Sequence, residues 1–173
     1  MNIVPERLIA AKVYGESSEL IGIADITLPN IENMTETISG AGIAGEIDSP
    51  TLGHFSAMTL GMTFRTMNKS MFEFAKAKSH DLDIRAAQQQ YDAGNGEYNV
   101  QPVRVFVRGL PKNINLGNAN TGQTTESAIE LEVVYLKVTV DDKVQLEIDK
   151  FNFVFNVGGT DYLQAVRSAL GMN

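Results

Sequence analysis

The chain has 173 residues, no cysteine, and 21 acidic against 14 basic residues, which give a net charge of −7. This length suits one domain, residues 1–173, with a sizeable core. The absence of cysteine excludes disulfides and thiolate metal sites, and the acidic balance is opposite to that of a nucleic-acid binder. The N-terminus has no signal-peptide pattern and no apolar stretch could span a bilayer, so we expect a soluble protein without a membrane anchor.

The first third of the chain predicts a hairpin followed by a long loop. Residues 8–14 and 20–28 are rich in β-branched and apolar side chains, and the polar stretch 15–19 joins them as two strands. Residues 29–53 follow neither the period of a strand nor that of a helix, which indicates a long extended loop. The isoleucines in this loop argue against permanent exposure to water.

The middle of the chain predicts one strand and one helix. Residues 55–64 favour a strand because of their aromatic and threonine content. Ser70 and Glu73 match the capping box, in which the serine oxygen accepts an amide hydrogen and the glutamate reaches back to the cap. The sequence therefore predicts a helix that begins at Ser70 and ends near His80.

A long hairpin and a second loop come next. Residues 82–91 and 98–108 contain strand-forming residues on both sides of the turn 92–96, which predicts two paired strands. Residues 109–123 contain one proline, three glycines and four asparagines, so we expect a second exposed loop there.

The last third predicts two more strands and a terminal helix. Residues 129–140 and 144–157 form the strands, and the apolar side chains of the second change parity at Asp149 and Lys150, which indicates a β-bulge. Residues 160–171 predict a capped helix that ends at Gly171.

Residues 39–47, SGAGIAGEI, contain the pattern G-x-G-x-x-G of dinucleotide-binding proteins. That pattern binds a pyrophosphate only between a buried strand and a helix. Here residues 31–38 are too polar for a buried strand, and Pro50 would break the helix. The motif therefore predicts a mobile glycine-rich segment, and we expect no cofactor.

No residue pattern indicates catalysis or metal binding. His54 and His80 are the only histidines, and neither lies in a metal-ligand spacing. The acidic pairs at residues 81–83 and 141–142 are more typical of turns than of calcium sites, and no G-x-S-x-G nucleophile motif is present. The sequence predicts a protein that is not an enzyme.

Two regions of the chain resemble a known family. Residues 25–31 and 38–47 are similar to the loop signature of the major tail tube proteins of contractile-tailed bacteriophages. Residues 147–152, 157–163 and 167–171 resemble the C-terminus of that family, and related tubes occur in phage-tail-like bacteriocins. The resemblance spans nearly the whole chain and departs mainly at residues 109–123, where the family carries a more charged loop.

The resemblance implies an antiparallel β-sandwich or half-barrel protomer, mainly β with two short helices, that closes into a hexameric ring. Stacked rings would form the inner tail tube of the virion, inside a contractile sheath, and DNA would pass through it during ejection without specific binding. The implied partners are the tail sheath, tape measure, baseplate and tail terminator proteins, with assembly in the host cytoplasm. Burying unpaired strand edges in a ring agrees with this architecture.

Two sets of residues are candidates for functional roles in such a tube. The loop at 29–53 would contact a neighbouring subunit, and an acidic lumen would repel DNA phosphates. The candidate inter-subunit residues are Met34, Ile38, Gly40, Gly42, Ile43, Gly45 and Ile47. The candidate lumen acids are Glu130, Glu132, Glu147 and Asp149.

An alternative from another class is a free β-sandwich that binds carbohydrate or peptide. It predicts a monomer in which residues 29–53 are compact. The tube interpretation predicts polymerisation instead.

Overall fold

The computed structural model describes residues 3–16, 22–23 and 25–172, and it consists mainly of antiparallel strands with two short helices. The predicted fold class is confirmed at this level. The strands are β1 (Ile3–Tyr14), β2 (Asp25–Thr27), β3 (Asn33–Ser39), β4 (Glu46–Phe55), β5 (Thr59–Phe64), β6 (His80–Asp92), β7 (Glu97–Asn115), β8 (Ser127–Val140), β9 (Lys143–Asp149), β10 (Val154–Val157) and β11 (Thr160–Asp161). The helices are α1 (Lys69–Glu73) and α2 (Gln164–Ala169), and neither is long enough to cross a membrane.

Nine of the strands form one sheet in the order β1-β6-β7-β8-β9-β10-β11, in which β5 also pairs with β8, and β2 pairs with β5. The sheet forks because β8 pairs with two different strands on one side. Its residues 127–132 pair with β5 and its residues 135–140 pair with β9, while β7 pairs along the other side. The strands β3 and β4 pair with each other in a separate sheet.

The hydrophobic core lies on one face of the large sheet. Alternate residues of β5 and β8 are buried, and the register places Leu60 opposite Leu131 and Met62 opposite Ile129. Helix α1 contributes Met71 to the same cluster. Burying one such side chain contributes about 1.5–3 kcal/mol, so this face supplies most of the hydrophobic stabilisation.

The predicted hairpin of residues 8–14 and 20–28 is wrong in its pairing. Strand β1 pairs with β6, and β2 pairs with β5, while residues 17–21 and 24 of the predicted hairpin lie outside the described residues. The local pattern identifies strands but not their partners. The long strand β6 pairs with β1 along residues 83–92, whereas β2 has only three residues.

Both predicted loops contain more strand than expected. Residues 29–53 include most of the β3–β4 hairpin, whose turn is formed by glycines with positive φ, such as Gly42 at +92°. Residues 109–123 begin inside a strand, because β7 continues to Asn115 to pair with the first half of β8. Both corrections have one cause: these strands have exposed faces, so they lack a strong apolar alternation.

The helix boundaries also differ from the prediction. The cap of α1 is Asn68, whose side chain accepts the Met71 amide at 2.9 Å, and the helix ends at Glu73, well before His80. Helix α2 begins only at Gln164 and has no side-chain cap. Gly171 does end this segment as predicted, with φ of +70°.

The predicted hairpin of residues 82–91 and 98–108 is confirmed as β6 and β7. The predicted bulge at residues 149 and 150 is wrong, because β9 ends there and β10 turns back to pair with it. The change of apolar parity therefore marks a chain reversal, in which Phe153 takes a φ of +52°.

Candidate assembly surfaces

We call the β3–β4 hairpin, residues 33–55, the arm. Within the described part of the chain it pairs with no other strand, and its register places Ile38 opposite Ile47 and Thr37 opposite Asp48. Because side chains alternate between faces, Met34, Ile38 and Ile47 share one face. The opposite face is polar, and there the Thr37 hydroxyl donates to Asp48 at 2.7 Å.

The apolar face of the arm is open to solvent. Met34 is 52% exposed, Ile38 43% and Ile47 51%. An isolated two-stranded hairpin is marginally stable in water, and a contact that buries its apolar face would stabilise it. These exposed side chains make the arm the first candidate for a surface between subunits.

The structure brings all seven candidate inter-subunit residues together on the arm. Gly40, Gly42 and Gly45 form its tip with positive φ, and the Ile43 amide donates to the Gly40 carbonyl at 3.1 Å. Ile43 is half-buried at this tip, whereas Ile38 and Ile47 are exposed. That these residues contact a neighbouring subunit stays a prediction.

The base of the arm is packed against the C-terminal part of the chain. The ring of Phe55 lies edge-on to that of Phe155, with centroids 5.0 Å apart. Gly53, with φ of +69°, lies so close to Leu163 that a Cβ there would be 2.5 Å from its Cδ1. The arm therefore projects from a packed base.

A second exposed apolar surface lies where β1, β6 and β7 extend beyond β8. We call residues 3–10, 86–92 and 97–102 the wing. Sequence reasoning missed it, although the apolar residues before position 8 already indicated a longer first strand. In the described residues β1 bonds to β6 alone, which leaves its other edge open for pairing. The exposed apolar side chains of the wing are Ile3, Val4, Leu8, Ile9, Tyr98 and Val100.

Among the candidate lumen acids, Glu132 is bound on several sides. Its carboxylate accepts the Met58 amide at 3.2 Å and lies 3.2 Å from the Lys150 Nζ and 3.5 Å from the Lys112 Nζ. Burial alone would raise the pKa of Glu132, but the hydrogen bonds from Lys150 and Met58 and the charges of both lysines outweigh it. The net result is a lowered pKa, so Glu132 remains charged at neutral pH.

The other candidate acids also have local partners. Asp149 accepts the amides of Phe151 and Asn152 at 3.0 and 2.9 Å and so holds the turn between β9 and β10. Glu147 accepts the Tyr135 hydroxyl at 2.7 Å, and burial together with this bond raises the pKa of Tyr135. Among the described residues Glu130 accepts one side-chain hydrogen bond, from the amide of Asn113 at 3.4 Å. Their position in a lumen stays a prediction.

The acidic pair at positions 81 and 83 is neutralised by arginines. Arg108 donates to both oxygens of Asp81 at 2.7 and 2.9 Å, and Arg104 binds Asp83 in the same way. These carboxylates therefore brace neighbouring strands. Beside them is a cavity of about 230 Å³ lined by Arg104, Phe106, Tyr135, Lys137 and Thr139.

The two histidines do not form a site. His80 is buried at the start of β6, where its Nε2 lies 3.1 Å from the Lys76 carbonyl, while His54 is exposed on the arm. Within residues 3–16, 22–23 and 25–172, no three histidine or acidic side chains are grouped as metal ligands would be. The prominent features of the described surface are the exposed apolar side chains of the arm and of the wing.

The known proteins that this chain resembles are components of phage tails and of a contractile injection system. The chain is 28% identical over 172 residues to the tail tube protein of Escherichia phage P2, covering 98% of this chain and 99% of that protein. It is equally identical over 180 residues to the major tail tube protein of Serratia phage KSP20, covering 98% of each. Its fold is similar to that of a sheath/tube terminator of an extracellular contractile injection system, with a TM-score of 0.56 and 12% identity over 78% of this chain and 96% of that one.

The model of the family described as phage tail tube protein FII matches residues 5–171, nearly the whole chain. The match includes both the arm and the C-terminal elements on which the sequence resemblance rests. The resemblance is therefore confirmed, and the comparisons give the alternative of a carbohydrate- or peptide-binding module no support. The chain belongs to the phage tail tube protein FII family and is a structural component of a phage-type tail tube.

Proposed function

We propose that six copies of this chain close into a ring and that stacked rings form the inner tube of a contractile tail. The observation that carries this proposal is the amphipathic arm, whose apolar face is exposed in the single subunit. A surface of this kind on a family of tube-forming proteins is best explained by contact with another copy. The open edge of β1 offers a second contact, through which strands of adjacent subunits can pair.

In the assembled tail the tube would lie inside a sheath and join a tape measure protein, a baseplate and a terminator. Its role is structural, without catalysis or cofactor. DNA would pass through during ejection, and the chain's net charge of −7 disfavours the phosphate affinity that would hold it there. Subunits would assemble in the host cytoplasm and act in the virion tail.

The test is the assembly of the purified chain. Sedimentation velocity over a range of concentrations, with negative-stain micrographs of the same samples, should show rings with six-fold symmetry and tubes. A chain that stays monomeric at high concentration, with no rings in micrographs, would contradict the proposal. Rings of another symmetry would contradict the hexamer but not the tube.

A further inference from the structure

We propose that Glu132 and Lys150 position the arm by holding the segment through which it returns to the sheet. This inference rests on the proposed function, because it assumes that the arm carries a contact between subunits. The sequence suggested a lumen role for Glu132. Its contacts assign it a role in orienting the apolar face of the arm.

The two charged groups hold opposite ends of residues 56–58, the segment between the arm and β5. Lys150 Nζ donates to the Ser56 carbonyl at 3.3 Å, and Glu132 accepts the Met58 amide at 3.2 Å. The same Glu132 oxygen lies 3.2 Å from Lys150 Nζ, so the two side chains close a loop of contacts around the segment. The Val133 amide, which donates to the Met58 carbonyl at 2.7 Å, completes the attachment.

The pair formed by Glu132 and Lys150, which we call the clamp, is mostly shielded from water. The side chain of Glu132 is 27% exposed and that of Lys150 is 24% exposed, so water screens their attraction less than at a fully exposed pair. Lys112 adds a second cation at 3.5 Å from Glu132 and also donates to the Thr59 hydroxyl at 3.1 Å. The cluster thus ties β7, β8 and the turn after β9 to the base of the arm.

A clamp at the base has a large effect at the tip. The seven residues of β3 span about 23 Å at the usual rise of a strand, so a rotation of about 10° at the base moves the tip by about 4 Å. That displacement is close to the distance between neighbouring strands, and it would take the apolar side chains out of register with a partner. Fixing the segment at residues 56–58 therefore favours one direction of the arm.

The experiment compares Glu132→Gln with Glu130→Gln. Glutamine at 132 keeps an oxygen for the Met58 amide but removes the charge that binds Lys150. The matched control neutralises an acid two residues away on the same face of β8, whose carboxylate accepts one hydrogen bond among the described residues, from Asn113. Amide hydrogen exchange of the arm is measured below the assembly threshold, and the critical concentration of assembly is measured by sedimentation.

For Glu132→Gln we expect exchange at the base of the arm and the critical concentration each to rise roughly three- to tenfold, a change that corresponds to about 1 kcal/mol. For Glu130→Gln we expect both within about twofold of the unmodified chain. Equal effects of the two variants would overturn the inference, because they would indicate a general effect of charge. A loosened arm with unchanged assembly would overturn it as well.

Lys150→Met keeps the aliphatic stem and provides a second test if Glu132→Gln does not fold. The double variant Glu132→Gln, Lys150→Met should show less than the sum of the two single effects, since both substitutions remove the contact between Glu132 and Lys150. Additive effects would overturn the inference. If the unmodified chain does not assemble, the proposed function fails, whereas exchange in the single subunit still tests the clamp.

Discussion

Asp149 holds the turn between β9 and β10 through its side chain, which accepts two backbone amides and the side-chain amide of Asn152. Asp149→Ala should lower the free energy of unfolding by about 1–3 kcal/mol, because the two amides lose their acceptor. Asp149→Asn keeps one oxygen and should cost clearly less. Urea unfolding of the unassembled subunit measures both. If alanine and asparagine have equal effects, the charge matters at this position rather than the turn.

Gly53 combines a positive φ with the close approach of Leu163. Gly53→Ala should destabilise the subunit by about 2 kcal/mol, because the new methyl group both strains the backbone and displaces the leucine. The control is Gly61→Ala, where φ is not positive and the nearest atom lies at 3.4 Å, so the change should stay within about 1 kcal/mol. Thermal unfolding compares the two, and a smaller loss for Gly53→Ala would contradict the prediction.

The arm is an element whose two faces should respond differently to the same substitution. Ile47→Asp places a charge on the apolar face, and burying it in an interface without a partner would cost several kcal/mol in every copy. We expect the variant to fold with an unchanged melting temperature and to form no tubes in micrographs. We choose Ile47 because it is exposed, whereas Ile43 is half-buried in the tip and its substitution could also affect the folding of the arm.

The control for the arm is Thr35→Asp, which introduces the same charge on the polar face, opposite Pro50. This variant should still assemble, because the polar face already carries Asp48. If Ile47→Asp assembles normally, the apolar face lies outside the contact. Loss of assembly by both variants would mean that a partner covers the whole arm.

The whole molecule should lose stability in acid. Asp83, Glu132 and Asp161 all have a lowered pKa. For Asp83 and Glu132, burial acts to raise the pKa, but hydrogen bonds and nearby cations outweigh it. For Asp161, the largest cause is the hydrogen bond from Arg167, which lowers the pKa. In the unfolded chain the pKa is about 3.9 for an aspartate and about 4.3 for a glutamate. At a pH above these values the three carboxylates contribute their full stabilisation, and this contribution is lost as the pH falls through their lower pKa values in the folded protein.

The urea midpoint should therefore hold nearly constant from about pH 7 to 5 and fall between about pH 5 and 3. The decline should be shallower in Asp83→Asn, which no longer has a carboxylate to protonate between Arg85 and Arg104. A midpoint that does not change between pH 6 and 3 would show that these pairs contribute nothing to stability.

Sequence alone determined the features that depend on neighbouring residues and on family membership. The hairpin of β6 and β7 followed from strand-forming residues on either side of one tight turn, and the C-terminal glycine marked the end of a segment. The failure of the G-x-G-x-x-G context pointed away from a nucleotide site. The resemblance of residues 25–31 and 38–47, and of the C-terminal segments 147–152, 157–163 and 167–171, gave the tube assignment that the family match confirms.

Tertiary structure decided which strands pair and what each acid does. Strand β1 bonds to β6, far away in the chain, because local patterns specify the face of a strand but not its partner. The extended segment was predicted from the sequence, but its two strands were not, since they bury neither face in the subunit. Glu132 differs from Glu130 in that Met58, Lys150 and Lys112 lie beside it, and the proximity of Met58 and Lys150 arises from the fork of the sheet at β8.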